Sequence, residues 1–166
     1  MTISPARPSD QGIATRSSAT RSDASRTTSR TLRLISALVM AAGVLFTVAG
    51  AGTWLMVSNA LADERITVAE DAARFGGEQV NGPLTAYYQA DIIEHHALEG
   101  SGGKTYAELD REDPARATVM NASFLRASLF TSVVSFGVAA MAMGLGIVLV
   151  LLGFAVRSLA PAGRNV

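Results

Sequence analysis

The sequence predicts an all-α membrane protein: a two-span transmembrane helical hairpin with helices extending outside the membrane and a short helical cap. Two observations support this fold class. The chain has two long runs without ionisable side chains, and charge is segregated among the segments that flank them. With 166 residues, 49% of them hydrophobic, it has room for one modest domain at most.

The first run, 34–62, contains 29 residues without Asp, Glu, Lys, Arg or His. Its first 24 residues are almost entirely apolar, and as a helix they would be about 36 Å long, against a hydrocarbon core of about 30 Å. Trp54 falls near the outer end, where an interfacial indole is expected. The second run, 127–156, has 30 such residues between Arg126 and Arg157. We therefore expect two transmembrane helices.

The charges outside these runs predict the orientation. Segment 1–33 carries six Arg and two Asp, and the tail 157–166 carries two Arg and no acid. The middle segment, 63–126, has twelve acidic and six basic residues. Because basic flanks stay in the cytoplasm, both termini should be cytoplasmic and the acidic segment should lie outside the cell membrane.

A signal peptide is the competing interpretation of the first run. Ala60, Leu61 and Ala62 before Asp63 resemble a signal-peptidase site, and cleavage there would leave one span. The apolar stretch is longer than the roughly 7–15 residues of a signal peptide, and 33 residues precede it. An uncleaved anchor is therefore favoured.

The basic tail 1–33 is rich in Ser, Thr and Arg and has almost no apolar residues. Such a composition cannot bury a core, so we expect disorder. The Arg residues could bind anionic lipid at about 1 kcal/mol each. The simpler interpretation, that they only set the topology, is favoured.

Three helical patterns divide the outer segment. Helical spacing from Leu61 to Phe75 predicts that the first helix continues beyond the membrane to about Phe75. Asn81 as a cap and Pro83 in a first turn predict a second helix that ends at Gly100, before the GSGG loop. Asp113 and Pro114 predict the start of a third helix, which continues into the second span.

The candidate metal site lies on the cap helix. Asp91, His95 and Glu99 are spaced four residues apart on one helical face, and a metal ion could bind there. The adjacent His95 and His96 point about 100° apart on a helix, so one ion cannot easily bind both. The alternative is a solvated acidic face with one His packed on neighbouring helices.

Residue types that are absent exclude several functions. The chain has no Cys, which excludes disulfides, iron–sulfur clusters and a cysteine nucleophile. Neither apolar run contains an ionisable residue, which argues against an ion path and against His-ligated haem within the membrane. We expect no enzymatic activity, no cofactor, no nucleic-acid partner and no small-molecule substrate.

An accessory role in the membrane is the leading hypothesis. The expected partners are the lipid bilayer and another membrane protein or a second copy of the chain. Tyr87, Tyr88, Ile92 and Ile93 on the cap helix are the candidate interface residues, because Tyr is enriched at interfaces. The alternative is an extracytoplasmic sensor or metal-binding module anchored by two spans.

The stretches ITVAEDAARFGG, ADIIEHHALEGSGGKTYAELDREDPARA and NASFLRASLFTSVV resemble a family of actinobacterial two-span membrane proteins of unknown function. The resemblance covers 34–157, and GGKTYAELDRED, at 102–113, is its most specific part. Such proteins are often labelled aromatic ring-opening dioxygenases. A ring-opening iron site needs two converging His and a carboxylate, and adjacent His diverge on a helix. The resemblance thus implies location and architecture rather than a reaction.

Overall fold

The computed structural model describes residues 11–159, with side chains from residue 30 onward. Within this part the fold is all-helical: α1 is Gln11–Asp63, α2 is Pro83–Gly100 and α3 is Arg116–Leu159. No strand forms among these residues, where β-type pairing is limited to an isolated antiparallel bridge between Thr67 and Gln79. The all-α prediction is confirmed for the described chain.

Two of the helices are long and apolar enough to cross a membrane. They are Arg30–Asp63 within α1 and Arg116–Leu159, which is α3. Only 17% of the most apolar window of each helix is buried by the rest of the protein. The core helix of a water-soluble domain would bury most of such a window, so these side chains face outward.

The expected extension of the first helix to Phe75 is wrong, because α1 ends at Asp63. Arg65 follows with a φ of 53°, which breaks the helical path. Ile66, Thr67 and Val68 come next, and three β-branched residues in succession favour extended backbone. The chain then turns back, so that Val68 and Val80 donate hydrogen bonds to Glu78 and Ile66.

At its other end α1 begins at Gln11, so helical backbone extends into the segment where the sequence predicts disorder. A helix already formed by the apolar run lengthens without a second nucleation cost. Residues 1–10 and 160–166 and the side chains of 11–29 lie outside the described part. The expected disorder of the tail stays a prediction for them.

The chain divides into two compact units, and α1 and α3 each contribute to both. One unit comprises Met1–Val44 and Ile147–Val166. In its described part, Gly153 lies against α1, because a Cβ there would be 2.9 Å from the Ser36 carbonyl oxygen and would also meet Met40. Ser36 is fully buried, and its hydroxyl donates to the Arg33 carbonyl at 2.9 Å.

The second unit, Leu45–Gly146, contains the end of α1, the loop 64–82, α2 and most of α3. Its core combines buried side chains from each of these elements: Leu61, Val68, Val80, Ala86, Ala90, Leu129 and Phe136. Gly50 lies where a Cβ would be 2.7 Å from the Ala139 carbonyl oxygen. A small residue is therefore required at Gly50 for α1 and α3 to pack.

Buried positions recur every seven residues along both long helices. They are Ser36, Gly43 and Gly50 on α1, and two sets on α3, Leu129 with Phe136 and Ala139 with Gly146 and Gly153. Small-residue spacings of four, such as Gly43 with Thr47, are a weak sequence indication of packing. A seven-residue period is the one that keeps buried positions on one face of a helix.

Candidate functional site

Helix α2 starts at a backbone turn that is closed by one hydroxyl. The Thr85 hydroxyl oxygen accepts hydrogen bonds from the N–H groups of Asn81 and Gly82, at 3.3 and 3.2 Å, and its proton is donated to the Gly82 carbonyl at 3.1 Å. The cap position is Gly82 rather than the expected Asn81. The predicted helix bounds, Pro83 to Gly100, are confirmed.

The opposite end of α2 confirms that the GSGG loop breaks the helix. Gly102 and Gly103 have φ of +65° and +84°, which favour glycine, and the Gly103 N–H donates to the Leu98 carbonyl at 2.7 Å. The third helix begins at Arg116, shortly after the predicted start at Asp113. The Asp113 carboxylate accepts from the Ala115 N–H at 2.8 Å, as an N-terminal cap does.

One face of α2 packs into the second unit. Ala86 and Ala90 are fully buried, and the side-chain Oε1 of Gln89 accepts a hydrogen bond from the Ala69 N–H at 2.9 Å. Loop 64–82 is thereby joined to α2 through a side chain as well as through the core. Helix α2 is therefore part of the fold and not a detachable cap.

The two His residues pair with different carboxylates. His95 Nε2 lies 3.2 Å from Glu99 Oε1, and His96 Nε2 lies 2.6 Å from Asp71 Oδ2 on loop 64–82. Asp91 and His95 line the same open groove beside Asp71. Within the described residues, no group of three or more His, Asp and Glu side chains could hold a metal ion. The metal site at Asp91, His95 and Glu99 stays a prediction from spacing.

Two exposed carboxyl groups are stabilised in their charged form. The hydrogen bond from His96 lowers the pKa of Asp71 below its ordinary value of 3.8. The Thr105 N–H and hydroxyl, each 2.8 Å from Glu108 Oε2, lower the pKa of Glu108 below 4.5. These hydrogen bonds hold the local geometry of the two loops. Because both carboxylates are exposed, they add little to overall stability.

The four predicted interface residues have different environments. Tyr87 is 44% exposed, whereas Ile92 is only 7% exposed. Tyr88 is half-buried against Phe75, with ring centroids 5.5 Å apart, and Ile93 is half-buried against the core. Of the four, Ile92 serves the internal packing, and Tyr87 offers the most free surface.

Arg126, at the outer end of the second apolar run, joins α3 to α2. Its Nη2 lies 2.6 Å from Glu94 Oε2 on α2, and its guanidinium lies 5.2 Å from the Phe130 ring centroid. Its Nε is buried without a hydrogen-bond partner among the described residues. It borders a cavity of about 100 Å³ that also contacts Tyr106 and Ser123, which is enough for several waters.

A larger groove lies between α2, α3 and the end of α1. It measures about 320 Å³, and its lining is mostly apolar: Leu61, Ile66, Ile93, Leu125 and Leu129, with Glu64, Gln89 and Ser128. Leu125, which lies just before the apolar run 127–156, is 53% exposed. The sequence pattern gave no sign of this groove, because its lining comes from four separate segments.

The GGKTYAELDRED stretch, 102–113, folds around one basic side chain. The Arg116 guanidinium donates to the carbonyls of Tyr106, at 3.3 Å, and Leu109, and it stacks 4.2 Å from the Tyr106 ring centroid. Leu109 is buried. These contacts give the stretch a structural role as an ordered connector between α2 and α3.

The chain was compared with protein-family models, with curated proteins and with solved structures, and no match was found in any of the three.

Proposed function

We propose that this chain is a non-enzymatic integral membrane protein of the cell membrane, an accessory or scaffolding subunit that binds another membrane protein or a second copy of itself. In this proposal α1 and α3 form a two-span hairpin, both termini are cytoplasmic, and 63–126 lies outside. The charge balance of the segments and the outward-facing apolar side chains of both long helices support it.

The groove that contains Ile93 and Leu125 is the observation that carries the binding role. Its wall includes Leu129 and Ser128, which belong to the second apolar run, and Leu125, which lies just outside it. An occupant must therefore reach the membrane surface itself, as a helix of another membrane protein does. The volume of about 320 Å³ suits a few apolar side chains, in keeping with interface anchors that fill pockets.

Substitutions in the groove test this role. Deleting α2 would remove Ala86 and Ala90 from the core, so a point change is more informative. Leu125→Asp should reduce co-purification of the membrane partner at least about tenfold, because a buried unpaired charge costs several kcal/mol. Phe124→Asp is the matched control, since Phe124 is 64% exposed and lies outside the groove lining.

Comparison of the two variants decides whether the groove binds the partner. Loss of the partner with Leu125→Asp alone supports the groove, and equal retention or equal loss in both variants contradicts it. If the copurifying species is a second copy, light scattering in mild detergent should show a dimer that Leu125→Asp converts to a monomer.

The topology has its own test, which benefits from the absence of native Cys. A membrane-impermeant maleimide should label Glu99→Cys in intact cells and should label Ser158→Cys only after the membrane is opened. Labelling of Ser158→Cys in intact cells would overturn the proposed orientation.

The sensor hypothesis has one supporting contact, the pair of His96 and Asp71 at 2.6 Å, which joins α2 to loop 64–82. Zinc-dependent thermal stabilisation that His95→Ala abolishes would favour it over the accessory role. No change with zinc would leave the accessory role as the better account.

A further inference from the structure

The first turn of α2 presents two apolar side chains that are largely exposed. Leu84 is 60% exposed and Tyr87 is 44% exposed. The Tyr87 ring packs on Phe130 with centroids 5.9 Å apart, so its position along α3 is known. The depth of this turn relative to the apolar runs determines what covers it.

Two contacts on different helices give the same depth. Phe130 is the fourth residue of the apolar run 127–156, about 4.5 Å inside its outer end. On α1, the Ser58 hydroxyl donates to the Asn81 carbonyl at 2.7 Å. Ser58 lies four residues before the end of the run 34–62, or about 6 Å inside. The residues that lead into α2 and form its first turn therefore lie at the same depth as the outermost helical turn of both apolar runs.

Helix α2 then leads away from this level. Glu94 contacts Arg126, which is one turn outside Phe130 on α3, and Leu98 borders a cavity with Val119 and Ser123. Higher residue numbers on α2 thus meet lower numbers on α3. The first turn of α2 is its deepest part, and its C-terminal end is the part farthest from the apolar runs.

Several polar backbone groups at this turn are already paired, which lowers the cost of contact with lipid. The N–H groups of Asn81 and Gly82 donate to Thr85, the Asn81 carbonyl accepts from Ser58, and Pro83 has no N–H. Unpaired backbone groups would be costly away from water. Tyr is enriched at the membrane interface because its ring is apolar and its hydroxyl stays hydrated.

We propose that the first turn of α2 is an interfacial anchor, in which Leu84 and Tyr87 insert into the outer leaflet of the bilayer beside the two spans. This inference rests on the proposed membrane location. The partner is lipid: Tyr87 packs on Phe130 of the second apolar run, and Val134, one turn deeper on α3, is 65% exposed. The anchor holds the outer unit against the membrane at a defined height.

Depth-dependent quenching of a fluorophore tests the anchor on the full chain. Single-Cys variants Leu84→Cys, Glu99→Cys and Val138→Cys are labelled with an environment-sensitive dye and reconstituted into phosphatidylcholine and phosphatidylglycerol vesicles. Glu99 is an exposed position about 20 Å farther along α2, and Val138 is exposed within the apolar run. Emission of the single tryptophan, Trp54, reports whether each variant keeps the native packing.

We expect the dye at residue 84 to be quenched by lipids that carry a nitroxide near the headgroup, and to be protected from aqueous iodide. The dye at residue 99 should show the reverse. If the dye at 84 behaves as at 99, the anchor is wrong while the membrane location stands. If it is shielded from both quenchers, protein covers the turn and lipid is the wrong occupant. If the dye at 138 is not quenched by lipid that carries a nitroxide in the middle of its acyl chain, the proposed membrane location itself fails.

Discussion

Trp54 and Phe136 pack edge to face, with their ring centroids 4.7 Å apart and an interplanar angle of 63°. Phe136 is 1% exposed, and Trp54 is half-buried against the same core. The sequence places Trp54 near the outer end of a span, where an indole is expected to contact lipid headgroups. In the structure its ring instead joins α1 to α3, so the single tryptophan is a reporter of helix packing.

Phe136→Ala should destabilise the second unit and alter Trp54 emission. The lost aromatic contact accounts for about 0.5–1.5 kcal/mol, and lost dispersion contacts add to it. The total should fall below the roughly 3–5 kcal/mol of a water-soluble core, because lipid does not penalise the apolar ring of the unfolded span. Thermal unfolding in detergent, followed by Trp54 fluorescence, measures the loss. Phe154→Ala, at an exposed position on the same helix, should have little effect.

Gly50→Ala should weaken the packing of α1 on α3. The added Cβ would lie 2.7 Å from the Ala139 carbonyl oxygen and 2.8 Å from Met143 Cγ, and the backbone atom cannot move aside independently. We expect a loss of about 1–3 kcal/mol. Gly52→Ala is the matched control: its Cβ would meet no atom within 4 Å, so the gain in helix propensity should leave stability unchanged or higher. Equal melting temperatures for the two variants would contradict the close approach.

Gln89→Leu should detach loop 64–82 from α2. The Ala69 N–H would lose its acceptor at 2.9 Å in a partly buried position, at a cost of about 1–3 kcal/mol. Hydrogen exchange at Ala69 should accelerate. The control is Gln79→Leu, which removes an exposed hydrogen bond to the Ala62 carbonyl and should cost less. An unchanged exchange rate at Ala69 in Gln89→Leu would show that the hydrogen bond does not protect the loop.

The pKa of Asp71 should depend on His96. Its carboxyl is held below the ordinary value of 3.8 mainly by the hydrogen bond from His96. A carboxyl with a lowered pKa contributes stability that is present above its unfolded value and is lost as pH falls through its folded value, here below 3.8. Carbon-13 NMR titration should show the Asp71 midpoint rising toward 3.8 in His96→Ala.

The control for this titration is His95→Ala. His95 acts on Asp71 only through charge and is the smallest of the contributions, so the Asp71 midpoint should barely move. A comparable rise of the pKa in both His variants would indicate that the hydrogen bond at 2.6 Å is not its main cause.

Local patterns of sequence were sufficient for the elements with strong boundary signals. Pro83 and the GSGG loop bounded α2 correctly, because a proline first turn and positive-φ glycines are local requirements. The extension of α1 to Phe75 failed because apolar spacing at Leu61, Val68 and Phe75 fits a helix as well as a folded-back loop. The bonds that decide between them, from Val68 to Glu78 and from Ala69 to Gln89, join residues distant in sequence.

The sequence by itself determined that two helices are long and apolar enough to span a membrane and that the segment between them is acidic, since length, hydropathy and charge are properties of the chain alone. Only the tertiary structure decided which small residues allow close helix packing, which acid each His contacts, and that an apolar groove opens beside Ile93 and Leu125. These features depend on distances between side chains of separate elements, and a helical period specifies which face a residue occupies but not what that face meets.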